Sequence, residues 1–276
     1  GLAWRVGGWL CNAAGEVVAV IGSWNGKMQI TTNPKLVERR VVSIWLPRFA
    51  TDLYVRRKAW RATPLSPRQL GCRPAKSVDL VAEPLVLVAK INGHAVLASV
   101  NRAAEIAGLQ PGLPLVDARA LCSDLHAAPA DPTGDHKALV ALATWCGRYT
   151  PWTAMDPDSQ GAGAGGLWLD ISGAAHLFSG EDMLLADLSQ CLGRLGYAHR
   201  LAAADTPGAA WAVTRFRQPL RQSIVSIPSG VSETKAALAP LSVAALRLAP
   251  DVVEGLFHLG LRRIEELLTR PRAPLI

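Results

Sequence analysis

Aliphatic residues occupy every second position of residues 167–172, which read LWLDIS. This period of two predicts a β-strand with one face in a hydrophobic core. A glycine-rich loop at 161–164 precedes the strand, and a turn at Ser172-Gly173 follows it. Glu181 and Asp182 then favour the start of a helix, because acidic side chains stabilise a helix N-terminus. We therefore predict a loop, a strand, a turn and a helix in succession.

The same patterns divide the rest of the chain into short strands and helices. The predicted strands are 16–22, 28–32, 41–46, 85–89, 95–100 and 199–204, and the predicted helices are 49–58, 101–107, 115–121, 135–149, 181–195, 208–215, 241–248, 251–258 and 262–268. Asn25-Gly26 and Asn92-Gly93 are typical of hairpin turns. Strands that alternate with helices indicate an α/β or α+β sheet domain, and the last three helices indicate a small helical region after Pro219.

Length and composition predict more than one domain. The chain has 276 residues, of which 50% are hydrophobic, so it can bury a large core. No apolar run approaches the roughly 20 residues of a membrane helix, and no basic-then-apolar leader is evident. We therefore expect a cytoplasmic protein without a membrane partner. The first residue is Gly1, and the chain stops shortly after Pro274, so we expect a fragment whose C-terminal part is missing.

The cysteines favour neither a metal site nor a disulfide framework. All five are scattered, without a Cys-x-x-Cys pair or a histidine at metal spacing. Such a pattern is typical of reduced, mostly buried thiols. The five are Cys11, Cys72, Cys122, Cys146 and Cys191.

Positive charge is concentrated in one part of the chain. Residues 35–76 contain eleven Lys or Arg against two acids, a net charge of +9 within a chain of net charge +7. A concentrated basic region favours a polyanion, most often nucleic acid, through counterion release. The alternative is the solvated face of an ordinary basic protein.

Six runs of sequence together resemble the Y-family (translesion) DNA polymerases, and most closely their ImuB-like branch. They occur in order over residues 40–276. The runs are 44–52 (IWLPRFATD), 101–115 (NRAAEIAGLQPGLPL), 146–152 (CGRYTPW), 167–180 (LWLDISGAAHLFSG), 204–211 (ADTPGAAW) and 259–264 (LGLRRI).

This resemblance implies an α+β fold with a palm, in which helices cover a mixed sheet, together with fingers and a small helical thumb. The implied boundaries are 39–50 and 129–216 for the palm, 51–128 for the fingers and 217–276 for a truncated thumb. Residues 1–38 form an extension to which we assign no role. The thumb resembles a helix-hairpin-helix, whose hairpin amides can hold a DNA phosphate. A plain helical bundle is the alternative.

Active members of the family hold two Mg²⁺ ions with three carboxylates. Alignment on the 44–52 run puts Ile44 at the first of these positions. Counting back along the 167–180 run puts Gly165 and Gly166 at the other two. The resemblance therefore implies that all three metal ligands are absent and that the chain binds no metal cofactor.

The nucleotide-binding positions agree with that conclusion. Active members use a Tyr and an Arg on the fingers to contact the triphosphate, and the matching residues here are Arg102 and Glu105. A carboxylate repels a polyphosphate. A phosphate-binding Lys of the family falls at Pro207 or Gly208, and no Lys occurs between Lys137 and Lys235.

Three acids remain as substitute metal ligands: Asp156, Asp158 and Asp170. For the first two, the alternative is a solvated turn before the glycine-rich loop. For Asp170, the alternative is a structural acid bonded to the turn at Ser172-Gly173.

Six basic side chains are the predicted DNA contacts. Those of the fingers segment come first, and those of the thumb hairpin come next. They are Arg56, Arg57, Lys58 and Arg61, followed by Arg262 and Arg263.

We thus predict a non-catalytic, polymerase-shaped DNA-binding adaptor in SOS and translesion repair and damage-induced mutagenesis, associated with the nucleoid. By resemblance its partners in the mutasome are a RecA-like accessory protein (ImuA), an error-prone C-family DNA polymerase and the sliding clamp. No convincing clamp-binding peptide is present, since Gln218-Pro219-Leu220 is followed by polar residues. The alternatives are an active Mg²⁺-dependent translesion polymerase with a rebuilt metal site and an α/β scaffold without DNA affinity.

Overall fold

The computed structural model of the chain describes residues 39–62, 83–157, 163–217 and 223–268, together with four strands before residue 31. Side chains are described from residue 39 onward within these ranges, except at 59–62. The four early strands form one antiparallel sheet: β1 (Trp4–Val6), β2 (Trp9–Cys11), β3 (Val17–Trp24) and β4 (Lys27–Ile30). Strand β3 pairs with β4, and the predicted turn residues Asn25-Gly26 between them lie outside the described residues.

The remaining elements build two further sheets and the helices around them. Their bounds are β5 (Val41–Leu46), α1 (Phe49–Ala62), β6 (Leu85–Ile91), β7 (His94–Val100), α2 (Arg102–Ile106), α3 (Leu115–Leu121), β8 (His126–Pro129), α4 (Pro132–Cys146), β9 (Thr153–Met155), β10 (Gly165–Asp170), α5 (Glu181–Arg194), β11 (Arg200–Ala204), α6 (Pro207–Phe216), β12 (Ile224–Ser226), α7 (Val231–Leu238), α8 (Pro250–His258) and α9 (Ile264–Leu268).

We call the first of these the central sheet, which has the strand order β12-β11-β5-β10-β9. Strand β5 lies in its middle and pairs antiparallel with both β10 and β11. Helices α1, α4 and α5 cover one face with a core that includes Leu53, Leu139 and Leu188. Helix α6 covers the other face, where Trp211 is part of a second core.

The second sheet, which we call the small sheet, has the order β7-β6-β8 and its own core with α2 and α3. The predicted hairpin at Asn92-Gly93 is confirmed. Asn101 fixes the start of α2, since its Oδ1 accepts hydrogen bonds from the N–H groups of Ala104 (2.9 Å) and Leu85 (3.0 Å). The predicted helix 101–107 is confirmed within a residue or two at each end.

The C-terminal helical region follows β12 within the described residues 223–268. Its helices differ from the predicted ones. The helix predicted over 241–248 is wrong: only a short 3-10 turn, Val243–Leu246, forms there, and it ends at Arg247 with φ +57°. The length of this segment is limited because Pro250 occupies the start of the next helix, α8. Helix α7 was not predicted from the sequence.

Two further observations concern the described residues only. None of the helices is long and apolar enough to cross a bilayer. Cys122, Cys146 and Cys191 are free thiols, and the side chains of Cys11 and Cys72 lie outside the described part.

Arg40, just before β5, ties several elements together. Its Nε and Nη2 donate to the Glu181 carboxylate (2.7 and 2.5 Å), and its Nη1 donates to Asp205 (2.8 Å). Glu181 begins α5, while the other Asp205 oxygen accepts the N–H of Gly230 ahead of α7 (2.8 Å). Burial acts to raise the pKa of Glu181, but the hydrogen bonds from Arg40 and Ser226 outweigh it and hold the pKa below its usual value. One guanidinium therefore joins the central sheet, α5 and the helical region.

Replacing Arg40 by Met should lower the free energy of unfolding by about 2–4 kcal/mol, because it leaves two half-buried carboxylates without their partner. Urea denaturation measures the change. Arg57→Met is the matched control, since its pair with Asp131 is exposed (39% and 60%) and is worth less than about 1 kcal/mol. Equal losses for the two variants would contradict the role assigned to Arg40.

Candidate functional site

The structure brings the three predicted metal-ligand positions together at one end of β5. Strand β10 runs antiparallel to β5, so that Leu167 lies opposite Ile44, Gly166 opposite Trp45 and Gly165 opposite Leu46. Opposite residues of an antiparallel pair share a face of the sheet. Ile44 and Gly165 therefore lie on one face, and Gly166 lies on the other.

The face that carries Ile44 and Gly165 is closed by hydrophobic side chains. Ile44 is fully buried. A Cβ atom added at Gly165 would lie 3.0 Å from Cγ of Phe49 and 3.2 Å from Cδ1 of Leu139. Phe49 begins α1 and Leu139 belongs to α4, so two helices press on this position. Ile44 thus supplies no carboxylate, and Gly165 has neither a carboxylate nor the space for one.

The face that carries Gly166 holds a buried ion pair. The N–H of Asp156 donates to the carbonyl of Gly166 (2.9 Å), which places Asp156, Gly166 and Trp45 in one row across the sheet. Arg215 reaches this row from α6, and its Nη2 lies 2.7 Å from the Asp156 carboxylate. The guanidinium also lies 4.1 Å from the centre of the Trp45 ring. Because the Arg215 guanidinium contacts both Asp156 and Trp45, which flank Gly166 in this row, it lies across the Gly166 position.

This pair is well shielded from water. The Asp156 side chain is 1% exposed and the Arg215 side chain 10%. Trp211 adds a second ring 4.7 Å from the guanidinium, within the range of a cation–π contact. The positive charge that balances Asp156 is therefore supplied by the protein itself.

Of the three acids considered as substitute metal ligands, two can now be described. The solvated turn expected for Asp156 is wrong, because its carboxylate is buried against Arg215. The structural role expected for Asp170 is confirmed, since its Oδ1 accepts the N–H of Ser172 (2.8 Å). Asp158 lies outside the described residues. Within the described part of the chain, no three His, Cys, Asp or Glu side chains are grouped to hold a metal ion.

The predicted nucleotide positions are only partly brought to this site. Glu105 of α2 lies beside it, because its Oε2 is 3.3 Å from Nη1 of Arg48, two residues beyond β5. Arg102 is exposed at the start of α2. Gly208 is remote: α6 follows Ala204, which pairs with Val41 at the opposite end of β5. Five residues of strand separate those ends by about 16 Å.

The predicted DNA contacts on α1 have partners within the protein. Nη1 of Arg56 donates to the Tyr197 hydroxyl (3.1 Å), and Arg57 bonds to Asp131 (3.1 Å). Lys58 is exposed. The side chain of Arg61 lies outside the described part. DNA contact by these residues therefore stays a prediction, and Lys58 is the described member best placed to make it.

Net charge is distributed unevenly between the described side chains and the rest. The described side chains include 19 Lys or Arg and 18 Asp or Glu, a net charge of +1. The other six charges of the chain's +7 belong to residues whose side chains are not described. Most of the basic excess thus lies in residues whose side chains are not described, so a basic surface there stays a prediction.

The hairpin between α8 and α9 already holds a carboxylate. Oε2 of Glu266 accepts the backbone N–H groups of Arg263 (3.1 Å) and Arg262 (2.6 Å). These bonds lower the pKa of Glu266. The amides expected to meet a DNA phosphate are therefore bonded internally, while the Arg262 and Arg263 side chains stay exposed. Their contact with DNA also stays a prediction.

Sequence reasoning missed Arg215, Trp45 and Trp211 as parts of the site. Asp156 and Arg215 are 59 positions apart, so no local pattern connects them. One signal was available: Arg215 is the only charged residue in the otherwise apolar helix 208–215. A lone charge at the end of such a helix has to find a partner when the helix is buried.

Placing a larger side chain at position 165 should destabilise the protein. Gly165→Ala should cost about 1–3 kcal/mol by overpacking, and Gly165→Asp should cost more because its carboxylate enters an apolar core. Gly208→Ala is the control, since no atom lies within 4 Å of its added Cβ, and alanine in a helix gains about 0.5–1 kcal/mol over glycine. Chemical denaturation compares the three. A Gly165→Asp protein as stable as the parent would disprove the closure of this face.

Removing Arg215 should cost about 3–5 kcal/mol, because Arg215→Met leaves a buried carboxylate without its counter-charge. Adding Asp156→Asn should restore a large part of that loss, and a double-mutant cycle of unfolding free energies measures the coupling. Arg263→Met is the control, since its pair with Glu265 (3.4 Å) is exposed. Additive losses for the two site variants would show that the pair is not coupled.

Comparison with known proteins gives matches of two kinds. The model of the IMS (impB/mucB/samB) family matches residues 71–215. Two curated relatives, the ImuB proteins of Caulobacter vibrioides strains NA1000 / CB15N and ATCC 19089 / CIP 103742 / CB 15, are each 46% identical over 168 residues. That stretch covers 61% of this chain and 34% of each relative. The chain thus spans about a third of the length of these relatives.

Among solved structures, an insertion ternary complex of Dbh DNA polymerase is similar with a TM-score of 0.64 and 12% identity. DinB from Sulfolobus solfataricus is similar with a TM-score of 0.60 and 13% identity. Each match covers 86% of this chain and 62% of the other. At these identities the likeness shows a shared fold.

Proposed function

We propose that this chain, which belongs to the impB/mucB/samB family, is a non-catalytic, polymerase-shaped DNA-binding subunit that acts in damage-induced mutagenesis. The predicted resemblance to ImuB-like proteins is confirmed by the family match and by 46% identity to two ImuB proteins. The predicted α+β polymerase-like fold is confirmed by the similarity to Dbh DNA polymerase and DinB.

We assign the central sheet and its helices to the palm, the small sheet to the fingers and the helical region to the thumb. The proposed boundaries are those of the sequence analysis: 39–50 and 129–216, 51–128, and 217–276. The separate hydrophobic cores of the two sheets support this division, except that Leu53 of α1, inside the range 51–128, packs in the core of the central sheet. Residues 1–38 have no proposed role.

The observation that carries the non-catalytic assignment is the closure of Gly165 by Phe49 and Leu139. Two-metal catalysis of nucleotide transfer needs carboxylates that hold the ions about 4 Å apart and bridge them to the substrate. Ile44 and Gly165 offer no side-chain oxygen, and Phe49 and Leu139 crowd the position that a side chain at Gly165 would occupy. The nearest buried carboxylate, Asp156, is already neutralised by Arg215.

An enzyme could in principle recover a metal site with acids from neighbouring positions. Asp170 is bonded to the turn at Ser172, and Glu105 is paired with Arg48. Each described acid near the site therefore has a basic or backbone partner of its own. These contacts support an adaptor over a polymerase with a rebuilt metal site, in which Mg²⁺ would be the cofactor.

DNA is the first proposed partner, because the solved structures with this fold include a polymerase ternary complex. Further partners are proposed from the ImuB resemblance alone: a RecA-like accessory protein (ImuA), an error-prone C-family polymerase and the sliding clamp. We propose that they assemble on DNA in the cytoplasm.

Primer extension tests the proposal. The chain is incubated with a primed template, dNTPs and Mg²⁺, then Mn²⁺, while DNA binding is followed in the same samples. We expect binding without incorporation, since the ligand positions lack oxygen donors. An active Y-family polymerase is the positive control. Incorporation that is lost in Asp170→Ala or Asp156→Asn would overturn the proposal.

A second pair of samples tests the DNA contact itself. Lys58→Ala combined with Arg61→Ala should weaken binding to all sequences alike and reduce the salt dependence by about two counterions. Lys90→Ala is the matched control, because Lys90 is exposed on β6 and is not a predicted contact. Equal affinity for the double variant and the control would remove these residues from the interface.

A further inference from the structure

Helix α1 is shared between the two sheets. Phe49 and Leu53 point into the core of the central sheet. Ala50, one position on from Phe49, packs instead with Leu87 and Ala128 of the small sheet. One side of α1 therefore packs in the core of the central sheet, and the adjacent side packs against the small sheet. The two sheets are thus in contact through α1.

The two sheets approach closely at Gly163, where a glycine is required. Its φ is +71°, and its carbonyl accepts the N–H of Ala50 (2.8 Å). An added Cβ would lie 2.2 Å from Cβ of Ser99 on β7 and 3.2 Å from Cβ of Ala50. Ser99 is 2% exposed, and its Oγ has no partner among the described atoms. Backbone and small side chains meet here and exclude water.

An ion pair crosses the same contact. Nη1 of Arg48, at the start of α1, lies 3.3 Å from Oε2 of Glu105 on α2, with side-chain exposures of 20% and 46%. Asp52, one turn along α1, is close enough to act on both charges. Its Oδ2 accepts the N–H of Ala198 (2.8 Å), which leads into β11. The Arg48 guanidinium therefore faces two carboxylates, Asp52 of α1 and Glu105 of α2.

At the other end of the contact between α1 and the small sheet, the rings of a tyrosine and a histidine meet. The Tyr54 hydroxyl lies 3.5 Å from Nε2 of His126 on β8, and their ring centres are 6.3 Å apart. Tyr54 follows Ala50 by four residues and therefore lies on the same stripe of α1. The contact is polar at both ends, with small apolar residues between them.

We infer that the Arg48–Glu105 pair is a latch that holds the small sheet closed against the central sheet in the absence of any nucleotide. The inference rests on the proposed function, because an enzyme would have to open this contact to admit a triphosphate. A polyphosphate entering here would have to take Arg48 from two carboxylates while Glu105 repelled it. The latch therefore couples the small sheet to the central sheet at this contact.

The experiment reverses one charge and then exchanges both. Hydroxyl-radical footprinting reports the exposure of Leu87, which is 2% exposed between the sheets, at about pH 8. Burial raises the pKa of Asp52 to about 6, against the Ala198 hydrogen bond and the Arg48 charge, so Asp52 is ionised in this buffer. Glu105→Arg should raise Leu87 modification roughly two- to fivefold, as expected for loss of a partly exposed ion pair. Arg48→Glu combined with Glu105→Arg, made in an Asp52→Asn background so that the new carboxylate meets no like charge, should return it to the rate of Asp52→Asn alone.

Two controls make the result specific. Glu265→Arg disrupts a pair of similar length between neighbouring residues of the helical region and should leave Leu87 unchanged. Leu188, fully buried in the central core, reports global unfolding and should stay protected in every variant. Leu87 protection that is unaffected by Glu105→Arg, or not restored by the exchange, would overturn the latch.

Adding a dNTP with Mg²⁺ separates the latch from the proposed function. Protection of Leu87 in the parent should not change. A nucleotide-dependent change together with primer extension would refute the non-catalytic proposal, while the charge exchange would still decide whether the latch exists.

Discussion

Strand β5 sets the constraint on which the rest of the structure depends. It is hydrogen-bonded on both edges and covered on both faces, so each of its side chains points into a filled space. Ile44 can be fully buried only because Phe49 and Leu139 close the face that it shares with Gly165. The same strand directs Trp45 to the opposite face, where Arg215 stacks on it. The end of β5 at which the family places metal ligands has thus become part of the packed interior.

Arginine is the organising cation at three places in this arrangement. Arg40 joins the first residues of β5 to α5 and the helical region, Arg48 joins the two sheets, and Arg215 joins α6 to the Gly166 row. A guanidinium suits these positions because it forms several directed hydrogen bonds and stays charged when it is buried. The basic excess of the sequence favours nucleic acid, whereas these three guanidinium groups make contacts within the protein.

The sequence predicted the elements that have strong periodic patterns or clear turn signals. Strands β5 and β10, the hairpin at Asn92-Gly93 and helix α3 were all expected. Helix α4 begins three residues earlier than predicted, because Asp131 caps it and Pro132 occupies its first turn. Strands β8, β9 and β12 were missed, since each has only three or four residues and is fixed by its neighbours in the sheet. The Asp156–Arg215 pair was beyond sequence reasoning because tertiary packing alone brings its members together.

Metal binding is the most direct test of the claim that this site has lost its chemistry. Mn²⁺ is titrated into the chain with and without primed DNA, and the free ion is followed by electron paramagnetic resonance. The account predicts no saturable site, because the ligand positions are apolar and Asp156 is neutralised by Arg215. A saturable site that disappears in Asp156→Asn or Asp170→Asn would contradict it, and would show that the carboxylates around β10 still hold a metal.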